Sequence, residues 1–302
     1  MIAFRGAYTA LVTPFSSDAA TIDFGRLSEH IRFQAEGGVA GVVPAGTTGE
    51  SPTLTEIEQC ELIERTVAVA RPLNLQVIAG AGSNNTAHAV HLNKFAAAAG
   101  ADAALQVNPY YNKPSQEGLY RHFMTIADAV DLPIVLYNIP GRCGVALTPA
   151  TVERLAHHPN IRAIKEATGS LDSASEIASR CGITILSGDD SLTLPFASVG
   201  GTGVVSVISN ILPRQVQSLC QAFNTDDWDR ARRIHLELFP ICRGLLTLDT
   251  NPIPIKAAME LLGRDNGELR LPMCRGSRSM LGAVTELLRG HGLAPVEAAA
   301  AR

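Results

Sequence analysis

Short runs of apolar, mostly β-branched residues recur at positions 8–12, 41–43, 77–79, 103–107, 134–136, 161–164, 183–186 and 204–208. They are apolar throughout rather than alternating, as expected of strands buried on both faces. Between them lie amphipathic segments with helical spacing at 24–36, 55–70, 87–99, 116–129, 149–157 and 171–179. Each connection is long enough for a helical crossover and short hairpin signals are absent, so the strands should pair in parallel. Eight βα units over about 210 residues favour a closed (β/α)₈ barrel over an open doubly wound sheet. Beyond Pro213 the strand pattern stops, and 212–223, 227–246, 253–262 and 277–289 read as helices. The expected division is a barrel over 1–222 and a helical extension over 223–302. The tail from Val296 to Arg302 has no obvious partner and should fray.

Composition narrows the function. The chain has 302 residues, 46% of them hydrophobic, enough for a large core, and a net charge of −4 with no basic run. Nucleic acid is therefore not an expected partner. No stretch of eighteen apolar residues occurs and the N-terminus has no export pattern, so a cytoplasmic protein without membrane attachment is expected. The six cysteines lie far apart without metal-ligand spacing and read as reduced core thiols. Asn84-Asn85-Thr86 matches a glycosylation sequon, which means nothing without a secretory signal. Gly80-Ala-Gly82 follows a strand, but its third glycine and the later acidic residue are missing, which argues against a dinucleotide site. His88 and His91 are one helical turn apart with no evident third ligand, so they read as a solvated face and no metal is expected.

In a barrel of this kind, chemistry sits at the C-terminal ends of the strands. The second strand is followed there by Gly46-Thr-Thr-Gly-Glu-Ser51, rich in backbone donors and hydroxyls but without a P-loop lysine, which suits a carboxylate. The fourth leads to Asn108-Pro-Tyr-Tyr-Asn-Lys-Pro114, the fifth to Tyr137-Asn-Ile-Pro-Gly-Arg142, and the seventh to Ser187-Gly-Asp-Asp190. The sixth ends on Lys165. Burial disfavours the charged form of a lysine, and a neutral amine can attack a carbonyl. Taken singly, Lys165 could snorkel to solvent, Tyr137 could be a core tyrosine, Arg142 a loop charge and Asp189-Asp190 a helix cap. Asp249-Thr-Asn-Pro-Ile-Pro254 reads as a loop entering a helix with proline in its first turn. Taken jointly, the rim residues are the set that Schiff-base chemistry requires.

These motifs also carry a resemblance. Tyr137-Asn-Ile-Pro-Gly-Arg142, Lys165-Glu-Ala-Thr168, Gly46-Thr-Thr-Gly-Glu50 and Pro109-Tyr-Tyr-Asn-Lys-Pro-Ser-Gln-Glu-Gly118 are similar to the dihydrodipicolinate synthase family. That family lies within the pyruvate-dependent aldolases that include N-acetylneuraminate lyase. The likeness runs from Ala7 to Lys256. It implies an imine between Lys165 and pyruvate without any cofactor, with Tyr137, Thr47 and Tyr111 as the proton relay. Tyr111 would come from the neighbouring subunit of a tight dimer, within a homotetramer built as a dimer of dimers. Thr47 and Thr48 would hold the pyruvate carboxylate, Gly188 and Val205 would line the lysine end, and Arg142 would take the carboxylate of L-aspartate 4-semialdehyde. The implied role is a hydro-lyase step of lysine and diaminopimelate biosynthesis. The second expectation is a related pyruvate aldolase or hydro-lyase with another aldehyde, and the third a non-catalytic homologue.

Two departures from the family pattern are visible. Cys143 follows Arg142 where a small hydroxylated or aliphatic residue is common. At the cleft where sensitive relatives bind lysine, Asn84 and Tyr110 are retained, but His88 replaces a glutamate, and Glu56 and Gln59 replace histidines. The expectation is an enzyme weakly inhibited by lysine or not at all.

Overall fold

The computed structural model describes residues 3–296. Eight strands, β1 (Gly6–Ala10), β2 (Gly41–Val43), β3 (Gln76–Gly80), β4 (Ala103–Val107), β5 (Ile134–Asn138), β6 (Ile161–Glu166), β7 (Thr184–Ser187) and β8 (Gly203–Ser206), pair in chain order into a closed barrel. All ladders are parallel, and β1 closes the ring on β8 with Gly6 opposite Gly203 and Thr9 opposite Ser206. The chain is thus the expected (β/α)₈ barrel. An isolated antiparallel bridge from Phe15 to Ile22, in the loop after β1, is the exception to parallel pairing.

The surrounding helices are α1 (Phe24–Glu36), α2 (Glu56–Ala70), α3 (Thr86–Ala99), α4 (Gln116–Asp128), α5 (Pro140–Cys143), α6 (Pro149–Ala156), α7 (Leu171–Arg180) and α8 (Thr193–Ala197). Their starts follow from local chemistry. Thr55 forms a reciprocal capping box with Glu58, and the side chains of Asn85, Ser115, Thr148 and Ser170 accept the first orphan N–H groups of α3, α4, α6 and α7. The single-turn α5 and α8 have too few residues to show periodicity and were not legible in the sequence.

The remaining helices are α9 (Pro213–Asn224), α10 (Trp228–Leu248), α11 (Ile253–Leu261) and α12 (Arg278–Gly290). Helix α9 packs on β1 and α1, and Gln217 accepts the Ala7 N–H at 2.9 Å. It is therefore the eighth barrel helix, and the expected boundary at 222/223 falls inside it. Helices α10 to α12 share one hydrophobic cluster with the barrel wall, through Leu219, Leu238, Ile241, Met259 and Val284. The Val296 N–H donates to the Leu261 carbonyl at 2.7 Å, so the start of the tail has a partner. Residues 297–302 lie outside the described residues.

The barrel interior is a separate cluster. Phe4 and Tyr8 fill it near the N-terminal ends, where the Tyr8 hydroxyl donates to Gln76 at 2.6 Å. Above them Ala10, Val43, Ile78, Ala103, Leu105, Ala163 and Val205 lead toward Tyr137. Small and branched residues make a packed floor rather than a pore, and whatever reacts must sit on top of it.

Candidate active site

Strand β6 carries Lys165 within its ladder, paired with Tyr137 of β5 and Leu186 of β7. Ala163 points into the barrel, and with a side-chain period of two Lys165 does too. Only 6% of Lys165 is exposed, so it does not snorkel out to solvent. Its Nζ lies 4.0 Å from the centre of the Tyr137 ring, itself 5% exposed. Lysine and tyrosine thus share one layer at the top of the floor. Val205 is buried in the same interior. Gly188 stands where β7 leaves the sheet, its N–H on the Glu166 carbonyl at 2.8 Å. A Cβ there would lie 2.4 Å from the Ala167 Cβ, so only glycine allows the two strand ends to close beside the lysine.

The loop after β2 is clasped from the C-terminal extension. Thr48 is buried, and its Oγ1 accepts from Asn251 Nδ2 at 2.9 Å, while the Asn251 carbonyl accepts from Arg142 Nη2 at 3.0 Å. Asn251, two residues before α11, therefore joins the loop of Thr47 and Thr48 to the arginine on α5. Below it, Glu50 and Lys256 form an ion pair at 2.5 Å with both side chains out of solvent. Lys256 Nζ donates to the Glu268 carbonyl at 2.6 Å and lies 4.3 Å from the Phe15 ring centre, while Glu50 accepts the Arg270 N–H at 3.0 Å. Burial pulls the Lys256 ammonium down from its ordinary range, against the pull of Glu50. Neither Asn251 nor the Glu50–Lys256 pair had a role in the sequence reading. Both sit in motifs that were visible, but their contacts join positions some two hundred residues apart.

A polar ladder fixes the arginine loop from the other side. Asn108 Nδ2 donates to Asn138 Oδ1 at 3.0 Å, and Asn138 Nδ2 donates to Glu166 Oε2 at 3.0 Å. Asn138 also accepts the Leu147 N–H at 3.0 Å, and Asn108 donates to the Val145 carbonyl at 3.2 Å. The ends of β4, β5 and β6 thereby hold the segment that carries Arg142. Cys143 is buried on the same short helix, and burial pushes its thiol up to about 11, which leaves it unreactive. The Asp189-Asp190 pair differs from a helix cap. Asp190 is buried, accepting from Ser206 Oγ and from the N–H groups of Val207 and Ile208, so it ties β7 to β8. Asp189 occupies the cap position but makes no side-chain cap bond. Outside this rim opens a cavity of about 960 Å³ lined by Arg142, Gly169, Asp189, Arg243, Asp249 and Asn251, among others.

Comparison with known proteins decides the lineage. The model of the dihydrodipicolinate synthetase family matches residues 3–290. The chain belongs to this family. It is 48% identical to the 4-hydroxy-tetrahydrodipicolinate synthase of Citrifermentans bemidjiense over 292 residues, 96% of this chain and 99% of that one. Among solved structures it superposes on the dihydrodipicolinate synthase of Aquifex aeolicus with a TM-score of 0.94 and 44% identity, covering 97% of this chain and 100% of that one. It matches the enzyme of Cyanidioschyzon merolae, solved with lysine bound, with a TM-score of 0.93 and 41% identity, covering 96% and 99%.

In this dihydrodipicolinate synthetase family member, Tyr111 is not gathered around Lys165. It is 90% exposed at a positive φ of 73°, in the loop after β4. Tyr110, 39% exposed, accepts from Asn84 Nδ2 through its carbonyl at 3.1 Å, and Asn112 Nδ2 donates back to the Asn84 carbonyl at 2.9 Å. Glu56 faces both histidines of α3, His88 at 3.5 Å and His91 at 3.1 Å, so these are not a purely solvated face. Gln59 turns inward and donates to the Gly80 carbonyl at 2.9 Å. Among the described residues, no group of three or more His, Cys, Asp or Glu side chains is placed to hold a metal ion, and no helix is long and apolar enough to cross a membrane.

Proposed function

We propose that this chain condenses pyruvate with L-aspartate 4-semialdehyde to 4-hydroxy-tetrahydrodipicolinate, through an imine on Lys165 and without a cofactor. The observation that carries the reading is the buried Lys165 with its Nζ 4.0 Å from the centre of the Tyr137 ring, beneath a rim on which Arg142 and Thr48 are clasped to the same asparagine. The Lys165 amine attacks the pyruvate ketone and water leaves. The protonated imine is an electron sink, so a methyl proton is lost and the enamine carbon attacks the aldehyde. Tyr137, with Thr47 and Tyr111, moves the protons. Thr47 and Thr48 hold the pyruvate carboxylate, Gly188 and Val205 border the lysine end, and the guanidinium of Arg142 takes the carboxylate of the aldehyde.

Tyr111 serves the site of a second copy in this reading, which its exposure supports, and the working unit is a homotetramer made of two such dimers. The six free cysteines support placing the protein in the cytoplasm.

A coupled assay tests the substrate. Pyruvate with aspartate semialdehyde should turn over, while N-acetylneuraminate and keto-sugar acids should not; the reverse order of rates would move the chain to another aldolase. In the same assay Arg142→Ala should raise the semialdehyde KM by about 10- to 100-fold, the loss of a charge-assisted bidentate pair, and leave pyruvate trapping on Lys165 intact. Equal damage to pyruvate trapping would remove Arg142 from the aldehyde subsite.

Lysine should inhibit weakly. A relative was solved with lysine bound. Here the position of a glutamate that neutralises the ligand's ammonium is held by His88, and Glu56, which could replace that charge, is engaged by His88 and His91. Titration in the coupled assay should reach half-inhibition only above about 1 mM, a binding free energy near −4 kcal/mol. A midpoint far below this would show that Glu56 releases its histidines for the ligand.

A further inference from the structure

Glu166 is the chain neighbour of the imine lysine, and the scheme above gives it no part. With a side-chain period of two it leaves β6 on the face opposite Lys165, away from the barrel interior, and none of it is exposed. Its Oε1 accepts the Thr168 N–H at 2.9 Å and its Oε2 accepts from Asn138 Nδ2 at 3.0 Å. In both contacts it accepts, the pattern of a carboxylate rather than of an acid with a proton to place. Burial pushes this carboxyl upward, and the hydrogen bonds from Thr168 and Asn138 pull it back. Burying a charge costs free energy that an apolar side chain in its place would not, so stability alone does not explain it.

The carboxylate fixes one amide. Asn138 stands opposite Glu166 in the ladder of β5 and β6, fully buried, and uses its whole amide group. Nδ2 donates to Glu166 and to the Leu147 carbonyl at 3.1 Å, and Oδ1 accepts from the Leu147 N–H and from Asn108 Nδ2, each at 3.0 Å. A partner that only accepts forces Nδ2 toward Glu166, and that choice presents Oδ1 to Leu147 and Asn108. With the amide turned over, its oxygen would meet the Glu166 carboxylate and its NH2 would meet two other donors. The Leu147 contacts close the base of a loop, 138–147, that carries Arg142, and Asn108 ties the same loop through the Val145 carbonyl at 3.2 Å.

We propose that Glu166 is a positioning residue for the second substrate: by orienting Asn138 it sets the place of the Arg142 guanidinium that receives the carboxylate of the aldehyde. This rests on the function proposed above. Lys165 is held independently, by its backbone ladders to β5 and β7. One strand thus carries the nucleophile on its inner face and the anchor of the aldehyde subsite on its outer face.

A cycle of Glu166→Gln and Arg142→Ala tests this, read as borohydride trapping of pyruvate and as the KM of each substrate. Trapping by the wild type decides the underlying reading by itself. Glutamine keeps the length of the side chain but turns its NH2 toward either the Thr168 N–H or Asn138 Nδ2, so that one donor faces another. Glu166→Gln should trap pyruvate within about twofold of wild type and raise the semialdehyde KM by about 5- to 30-fold, the effect of one buried donor left unpaired. In the Arg142→Ala background the same substitution should change that KM by less than about twofold, because the group it positions is gone. Combining Glu166→Gln with Asn138→Asp moves the charge across the ladder and gives the glutamine NH2 an acceptor, and this pair should recover part of the semialdehyde KM. Loss of pyruvate trapping in Glu166→Gln would make the residue structural, an equal factor in both Arg142 backgrounds would mean that it does not act through the arginine, and an unchanged semialdehyde KM would leave it without a part in the subsite; each result overturns the inference.

Discussion

Reduction with borohydride in the presence of pyruvate should add one pyruvate-derived mass to the peptide containing Lys165, and Lys165→Ala should lose at least about 10⁴-fold in kcat, as removal of a nucleophile typically does. The expectation rests on geometry. Lys165 is a strand residue, fixed by ladders to Tyr137 on one side and Leu186 on the other, with Nζ against the tyrosine face. It has no room to turn outward, and its apolar floor of Ala163 and Val205 gives it no other partner below. A lysine held this way contributes little to stability, since burial of a charge costs free energy that an aromatic face returns only in part. The variant should therefore stay folded, with circular dichroism and thermal midpoint equal to or above wild type. Label on a different lysine, or full activity in the alanine variant, would end the imine reading.

The barrel was legible because its strands are apolar on both faces and its helices begin at side-chain caps, and both signals are local. The strand ends were less so, for a physical reason that recurs. The apolar run through 204–208 leaves the sheet after Ser206, because the N–H groups of Val207 and Ile208 turn to the Asp190 carboxylate instead of a neighbouring strand. Conversely β5 and β6 continue through Asn138 and Glu166, polar residues that the apolar pattern ends before, because these side chains satisfy one another across the barrel rim. The same distinction divides the site. Lys165, Tyr137 and Arg142 stand in motifs whose residue types declare a chemistry. Asn251 carries no such mark, and its part appears only when the chain closes one rim against the other. Gln59, grouped by its position with the effector cleft, points inward to the Gly80 carbonyl, a direction that sequence position cannot give.

Lys256→Met should destabilise the protein by about 3–5 kcal/mol, because it strips the partner from Glu50 while leaving that carboxylate in a site closed to water. Both side chains are out of solvent, and the Lys256 contact is the one partner of Glu50 Oε1, so its loss leaves that oxygen unpaired while Oε2 keeps the Arg270 N–H. The Glu268 carbonyl loses its donor in the same step. The double variant Glu50→Gln with Lys256→Met should recover a substantial part of the loss, because it removes both charges and leaves the glutamine able to accept the Arg270 N–H. Urea unfolding of the two variants measures this, and a cost below about 1 kcal/mol for Lys256→Met would mean that water reaches Glu50. The effect should also reach the site. Glu50, at a positive φ of 55°, closes the loop that presents Thr47 and Thr48, and its N–H bonds to the Thr47 carbonyl at 3.1 Å. Loosening it should raise the KM for pyruvate more than that for the semialdehyde, because Arg142 shares the Asn251 clasp with Thr48 but its loop is held in addition by the asparagine ladder. An extension remote in sequence therefore sets the position of the Thr47-Thr48 loop, through a pair of charges with no access to solvent.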